Sequence, residues 1–187
     1  NSVLGTVYYV GVKSEDQQAA EFAFVSLSSN TPFDEDDENG NRIVHGLPYR
    51  VPIPDGSPDQ PNAGYVFGIV TKELDVQRVT VTNSVSYDST GDILWNLSHS
   101  GEFSVLNNHA LNPEGSGGLL TLLFDDSNGN DSGFGSIFPR PTDGPGRLTS
   151  FVGKQAAGAW ILTVVDNAVS QTSTNVAMTL KIEPRPP

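Results

Sequence analysis

Apolar and polar positions alternate in short runs along this chain, and the clearest run lies near its end. Trp160, Leu162 and Val164 fall on one side of an extended segment, with Ile161 and Val165 on the other. A run apolar on both faces predicts a central, buried strand over 160–165. Asp166-Asn167 ends it, because both side chains favour turns. The segment 175–182 alternates again, with Val176, Met178, Leu180 and Ile182 on one face. The chain is therefore expected to close as two strands joined by a turn, with the other strands packed around them. The same criterion predicts strands over 65–71, 76–81, 93–97, 103–106 and 119–124, with lengths and spacing that suit a sandwich or jelly roll. No sequence motif recurs at a fixed period, which argues against a solenoid.

Ahead of these strands, 5–12 and 21–27 read as a hairpin joined through the polar segment 14–18. A lone hairpin is marginal in water, and this one carries Tyr8, Tyr9, Phe22 and Phe24. It is expected to dock on the main domain, to complete a domain upstream, or to pair with a neighbouring molecule. The acidic stretch 28–41 follows, with five consecutive carboxylates from Asp34 to Glu38, and reads as a solvated linker. As a calcium loop it fits poorly: Glu35, Asp37 and Asn39 precede Gly40, but Gly46 stands where an EF-hand needs a bidentate Glu. The prolines of 51–58 keep the next segment extended. The expected organisation is an N-terminal β arm over 1–30, an acidic linker over 31–49 and an all-β jelly-roll sandwich over 50–187.

Composition supports an all-β chain and narrows the partners. Gly 19 and Pro 13 are scattered among short Val-, Thr-, Phe- and Tyr-rich runs. Lys+Arg 10 against Asp+Glu 22 gives a net charge of -12, which disfavours nucleic acid and anionic membranes. The absence of cysteine removes disulfides, thiolate zinc sites and thiol catalysis together. No run reaches the ~18 apolar residues of a membrane helix. With Asn1 at its start and no leader pattern, the chain is expected to be a matured product or one piece of a longer one, secreted or displayed at a cell surface.

The three histidines, His45, His99 and His109, sit in no Gly-x-Ser-x-Gly or His-Glu-x-x-His context, so the chain is expected to be non-enzymatic. The best candidate metal loop is 125–131. There Asp125, Asp126, Asn128 and Asp131 surround Gly129 at the exit of an apolar strand, offering several oxygens to one hard cation such as Ca²⁺. The alternative reading makes the same loop a cap and Asp166 a turn former. Trp95 and Trp160 are expected in the core. Asn96 and Asn130 stand in N-glycosylation sequons.

Taken in order, several segments resemble the P domain (Homo B domain) that follows subtilisin-like catalytic domains in proprotein convertases and bacterial secreted proteases. The segment from Ile53 through Pro54-Asp55-Gly56-Ser57 to Pro58 resembles that family's opening. Val76 to Val81 resembles its first paired strand, and Gly91-Asp92-Ile93 stands where the family has Gly-Asp-Leu. Phe124-Asp125-Asp126 matches Phe-Asp-Asp. Phe151, Gly153, Gly158 and Trp160, with the run from Leu162 to Asp166, match its closing motifs. The likeness covers roughly 50–183. His99 departs from it, standing where the family has a turn proline. Members of that family can bind calcium, which implies Asp92 and Asp166, both at matched positions, as further ligands.

Two functions follow as expectations. The first is a non-catalytic extracellular module for structure, assembly or adhesion, whose partner is a neighbouring copy or an adjacent domain. It would polymerise through its N-terminal strands, since an edge strand offers unpaired backbone groups to an incoming one. The alternative, implied by the resemblance, is an accessory domain that stabilises or assists a subtilisin-like protease. A lectin-like jelly roll is a third, weaker idea.

Overall fold

The computed structural model describes residues 7, 9–11, 13, 24–87, 91–111, 118–127, 137, 139–169 and 172–186. Among them the chain forms a β-sandwich. Strands β1 (Asp34–Asp36), β2 (Arg42–His45), β3 (Val51–Ile53), β5 (Val76–Tyr87), β8 (Gly118–Phe124), β9 (Pro139–Arg140) and β11 (Ser173–Pro184) build one sheet. Strands β4 (Asn62–Val70), β6 (Ile93–His99), β7 (Glu102–Asn108) and β10 (Gly158–Asp166) build the other, in the order β4-β10-β6-β7. All pairings are antiparallel except β8 with β9.

The core lies between the inner faces. Val66 and Val70 of β4, Trp95 and Leu97 of β6, and Trp160, Leu162 and Val164 of β10 meet Val79, Val81 and Val85 of β5 and Met178, Leu180 and Ile182 of β11. Trp95 packs edge-on against Phe124, with ring centroids 5.8 Å apart. As the alternation predicts, β10 is central, paired on both sides by β4 and β6. The two closing strands lie in opposite sheets, so the turn after Asp166 is a crossover between layers.

Three expectations are corrected. The acidic segment is not a solvated linker: β1 and β2 form a hairpin, and β2 pairs with β11 from Thr179↔His45 to Ile182↔Arg42. Alternation explains it, because Arg42 and Val44 point inward while Ile43 and His45 are half-buried. Asp37 makes the turn, its Oδ1 accepting from Asn39 N at 2.9 Å and Asn41 N at 2.8 Å. Second, a bulge between Asn175 and Ala177 shifts the register of β11. It turns Asn175 inward, where its Oδ1 accepts from Asn83 Nδ2 at 2.8 Å, and moves Val176 off the face of Met178, Leu180 and Ile182. Third, the described residues of the expected N-terminal hairpin, 7, 9–11 and 24–27, are in no strand; its other positions lie outside the described residues.

Candidate functional site

Strand alternation gives the four-stranded sheet an outer face as well as an inner one. One row crosses all four strands: Phe67, Ile161, Ser98 and Phe103 are successive register partners. Beside it run Tyr65, Thr163 and Asn96, and then Ala63, Val165 and Leu94. None of these ten side chains is charged, in a chain with 22 acidic and 10 basic residues. Tyr65 is 50% exposed and Phe103 46% exposed. The sequence showed that β10 is apolar on both faces. It did not show that one of those faces looks outward, because that depends on which sheet lacks a second cover.

Asn96, the acceptor of one sequon, sits within this face, and its Oδ1 is buried with no hydrogen-bond partner. Asn130 lies outside the described residues.

The carboxylates read as metal ligands separate into two sets. At one end of the sandwich, Asp125 closes on Arg78 near the start of β5, and Arg78 Nη1 also reaches Glu183 Oε1 at 3.0 Å. Burial works to raise the Asp125 carboxyl. The hydrogen bond from Arg78, bonds from Ser127 and the guanidinium charge outweigh it and hold the group below its ordinary range. Asp126 accepts from Leu148 N at 2.7 Å, Thr142 N at 2.9 Å and Thr142 Oγ1 at 2.9 Å. It thereby fixes the entry to the short 3₁₀ turn Leu148–Phe151. Both carboxylates are engaged by the protein's own donors. Asn128 and Asp131 lie outside the described residues.

The other set is at the far end, where β10 finishes. Asp166 pairs in register with Ile93, next to Asp92, and with Asn62, whose side-chain amide donates to Asp55 O at 2.6 Å. Asp166 is fully buried. Its Oδ1 accepts from Ala168 N at 3.0 Å, while Oδ2 has no partner. Burial raises this carboxyl, and the charges of Asp55 and Asp92 raise it further. The bond from Ala168 and the nearby His109 oppose the rise without cancelling it. The structure thus brings Asp92 and Asp166 together, adds Asp55, and places Asp125 and Asp126 at the opposite end. Among the described residues, no three carboxylates or imidazoles stand at metal-binding spacing.

The histidines hold backbone or surface positions. His109 Nδ1 lies 3.0 Å from Gly91 O, and His45 Nε2 lies 3.5 Å from Glu35. His99, which precedes the Ser100-Gly101 turn, is 5% exposed with both ring nitrogens on backbone carbonyls. Only the folded chain shows this, because its partners are 56 and 60 residues away.

No family model matches the sequence, and no curated protein matches it. Among solved structures, the serine protease of Aeromonas sobria is similar at 18% identity over 76% of this chain, with a TM-score of 0.42. The complex of that protease with a chaperone is similar at 18% identity over 78% of this chain, with a TM-score of 0.41. This chain spans 27% of the length of each matched chain, and a likeness at that level carries no argument about its role.

Proposed function

We propose that this chain is a non-catalytic β-sandwich module of a secreted or cell-surface protein, and that it works by packing against another protein through the outer face of its four-stranded sheet. The uncharged face around Tyr65, Phe67, Ile161 and Phe103 carries the reading. An uncharged surface with exposed aromatic side chains on a strongly acidic molecule is the composition of a protein contact, with charge kept to the rim. The three histidines support a structural role, since His99 and His109 bond backbone carbonyls and His45 is half-buried beside Glu35.

The partner is a neighbouring copy or an adjacent domain of a longer chain. Light scattering of the 187-residue chain across a concentration series separates the two. A growing series of oligomers assigns the face to self-assembly. A monomer at every concentration removes self-assembly and favours the second reading, an accessory module for a subtilisin-like protease. That reading rests on the ordered motif resemblance from Ile53 to Asp166.

We also propose Ca²⁺ at the Asp92 and Asp166 end. A buried carboxylate oxygen without a donor, with Asp55 and Asp92 nearby, is costly unless a cation or proton neutralises it. Hard oxygen ligands of this kind suit Ca²⁺, which tolerates irregular geometry and accepts backbone carbonyls. A melt in EDTA equal to the melt in excess calcium would sink the assignment.

A further inference from the structure

His99 closes a loop with both ends of its ring. Its Nδ1 lies 2.8 Å from Ala159 O and its Nε2 lies 2.7 Å from Gln155 O. Both partners are carbonyl oxygens, which only accept. A neutral imidazole has one N–H and one lone pair, so it satisfies one carbonyl and sets its lone pair against the other. A ring protonated at both nitrogens satisfies both. The ring also lies flat on Trp160, centroids 4.1 Å apart and planes within 1°, where a cation on the indole face gains further attraction.

The bridged loop joins the two sheets. Gly153 N donates to Val76 O at 2.8 Å, Val76 N to Lys154 O at 2.9 Å, and Ala156 N to Leu74 O at 2.9 Å, which ties the loop to the start of β5. Trp160 Nε1 donates to Ala156 O at 2.9 Å from within. His99 itself belongs to β6, in the opposite sheet. Losing the Gln155 contact loosens the link between layers at this end, and losing the Ala159 contact loosens β6 from its neighbour β10 within one sheet.

We infer that His99 is a proton-dependent latch: doubly protonated it clamps the Gln155 carbonyl of the loop and the Ala159 carbonyl of β10 at once, fastening the loop to the four-stranded sheet, and on losing a proton it releases one of them. The charged groups nearest to it are Glu102, Lys154, Asp75 and Arg185. Glu102, opposite His99 across the Ser100-Gly101 turn, pairs with Lys154 Nζ at 2.7 Å. Asp75 Oδ1 accepts from Gln155 Nε2 at 3.1 Å. The Arg185 guanidinium lies beside Gly153, and the backbone N–H of Arg185 donates to Asp75 O at 2.8 Å. The strand segment Gly158 to Trp160 and Phe151, whose ring is tilted against Trp160, bring no titratable side chain.

The test is nuclear magnetic resonance on the 187-residue chain between about pH 5 and 8, the range in which imidazoles change charge. Ring ¹⁵N shifts report the protonation of His99, and hydrogen exchange of Ala156 N–H and the Trp160 indole N–H reports the loop. As His99 loses a proton, exchange corrected for its intrinsic pH dependence should rise about tenfold, the factor that one hydrogen bond of ordinary worth carries. His99→Phe keeps a stacked ring without donors and should show the faster exchange at every pH. Glu102→Gln keeps the latch and should keep the wild-type profile, which decides the matter if His99→Phe does not fold. A neutral single-tautomer His99 with equal loop protection at both pH values would overturn the latch. So would identical profiles in wild type and His99→Phe, or a pH response that vanishes in Glu102→Gln.

Discussion

Arg78 and Asp125 are 47 residues apart in sequence and form a nearly buried ion pair at one end of the sandwich, with the carboxylate side chain only 2% exposed. The pair joins the start of β5 to the exit of β8, and Glu183 brings the end of β11 to the same guanidinium. This use of Asp125 differs from metal ligation, because the protein itself supplies the neutralising charge.

Replacing Arg78 by Met should therefore destabilise the fold by about 3–5 kcal/mol, the usual consequence of leaving one buried charge without its partner. Urea unfolding at neutral pH measures it. The double variant Arg78→Met with Asp125→Leu should recover most of the loss, since it leaves no charge stranded. A double variant as unstable as the single one would show that the pair matters for something other than charge compensation.

Asp34 makes a second such link, between layers. It accepts from Thr71 N at 2.8 Å and Thr71 Oγ1 at 2.7 Å, just beyond β4, and lies 2.9 Å from Arg42 Nε. That last contact is off the hydrogen-bond direction, so it is an ionic contact and the directed bonds are those to Thr71. Arg42 has a second carboxylate partner in Asp36, at 3.1 Å. Asp34→Ala should accordingly cost less than the loss of Arg78, about 1–3 kcal/mol for the donors left unsatisfied. A change near zero in the denaturation midpoint would return β1 to the status of a solvated segment.

Much of the sandwich was legible because burial on one side of a sheet writes a period of two into the sequence. The strands around Trp160, Trp95 and Val79 were visible in this way. The hairpin of β1 and β2 was hidden, because five carboxylates in a row resemble solvent-facing chain until Arg42 and Thr71 come into reach. The bulge at Asn175 was hidden for a different reason: an Asn inside a core needs a partner, and Asn83 lies 92 residues away. The environment of His99 was hidden because the chemistry of its acceptors is backbone chemistry, which side-chain identity does not record. At the candidate site, motif position grouped Asp92 and Asp166 with the Asp125 loop, and only the strand register sets them at the other end, beside Asp55.

The outer sheet face makes the third prediction. Tyr65→Glu and Ile161→Glu each place a charge among uncharged side chains without touching the core, since both residues point away from Trp160 and Leu162. Tyr65→Glu should leave the melting temperature of the monomer nearly unchanged, because exposed substitutions are usually within about 0.5 kcal/mol. It should raise the dissociation constant of the oligomer, or of the complex with an adjacent domain, by tenfold or more as an order-of-magnitude expectation for a charge buried at a contact. Sedimentation over a concentration series reads both. An unchanged association constant for both variants would remove this face from the proposed function.

Asp166 and Asp125 should respond to pH with opposite signs, and Asp166 should respond to calcium. The folded Asp166 carboxyl is raised, so it binds its proton more readily in the fold than in the unfolded chain. Its contribution to stability is present below the unfolded value, about 3.9, and is lost as pH rises through the raised folded value. Asp125 is lowered, so its contribution is present above that unfolded value and is lost as pH falls through the depressed one. Asp166→Asn removes the unpartnered charge and keeps the Oδ1 that accepts from Ala168. In EDTA at neutral pH this variant should melt higher than wild type. With excess calcium the order should narrow or reverse, because only the carboxylate gains from the cation. If Asp166→Asn melts lower than wild type in EDTA, the buried charge is satisfied by some other group and the cation assignment falls with it. If it melts higher in EDTA but calcium moves neither protein, the charge is relieved by protonation alone.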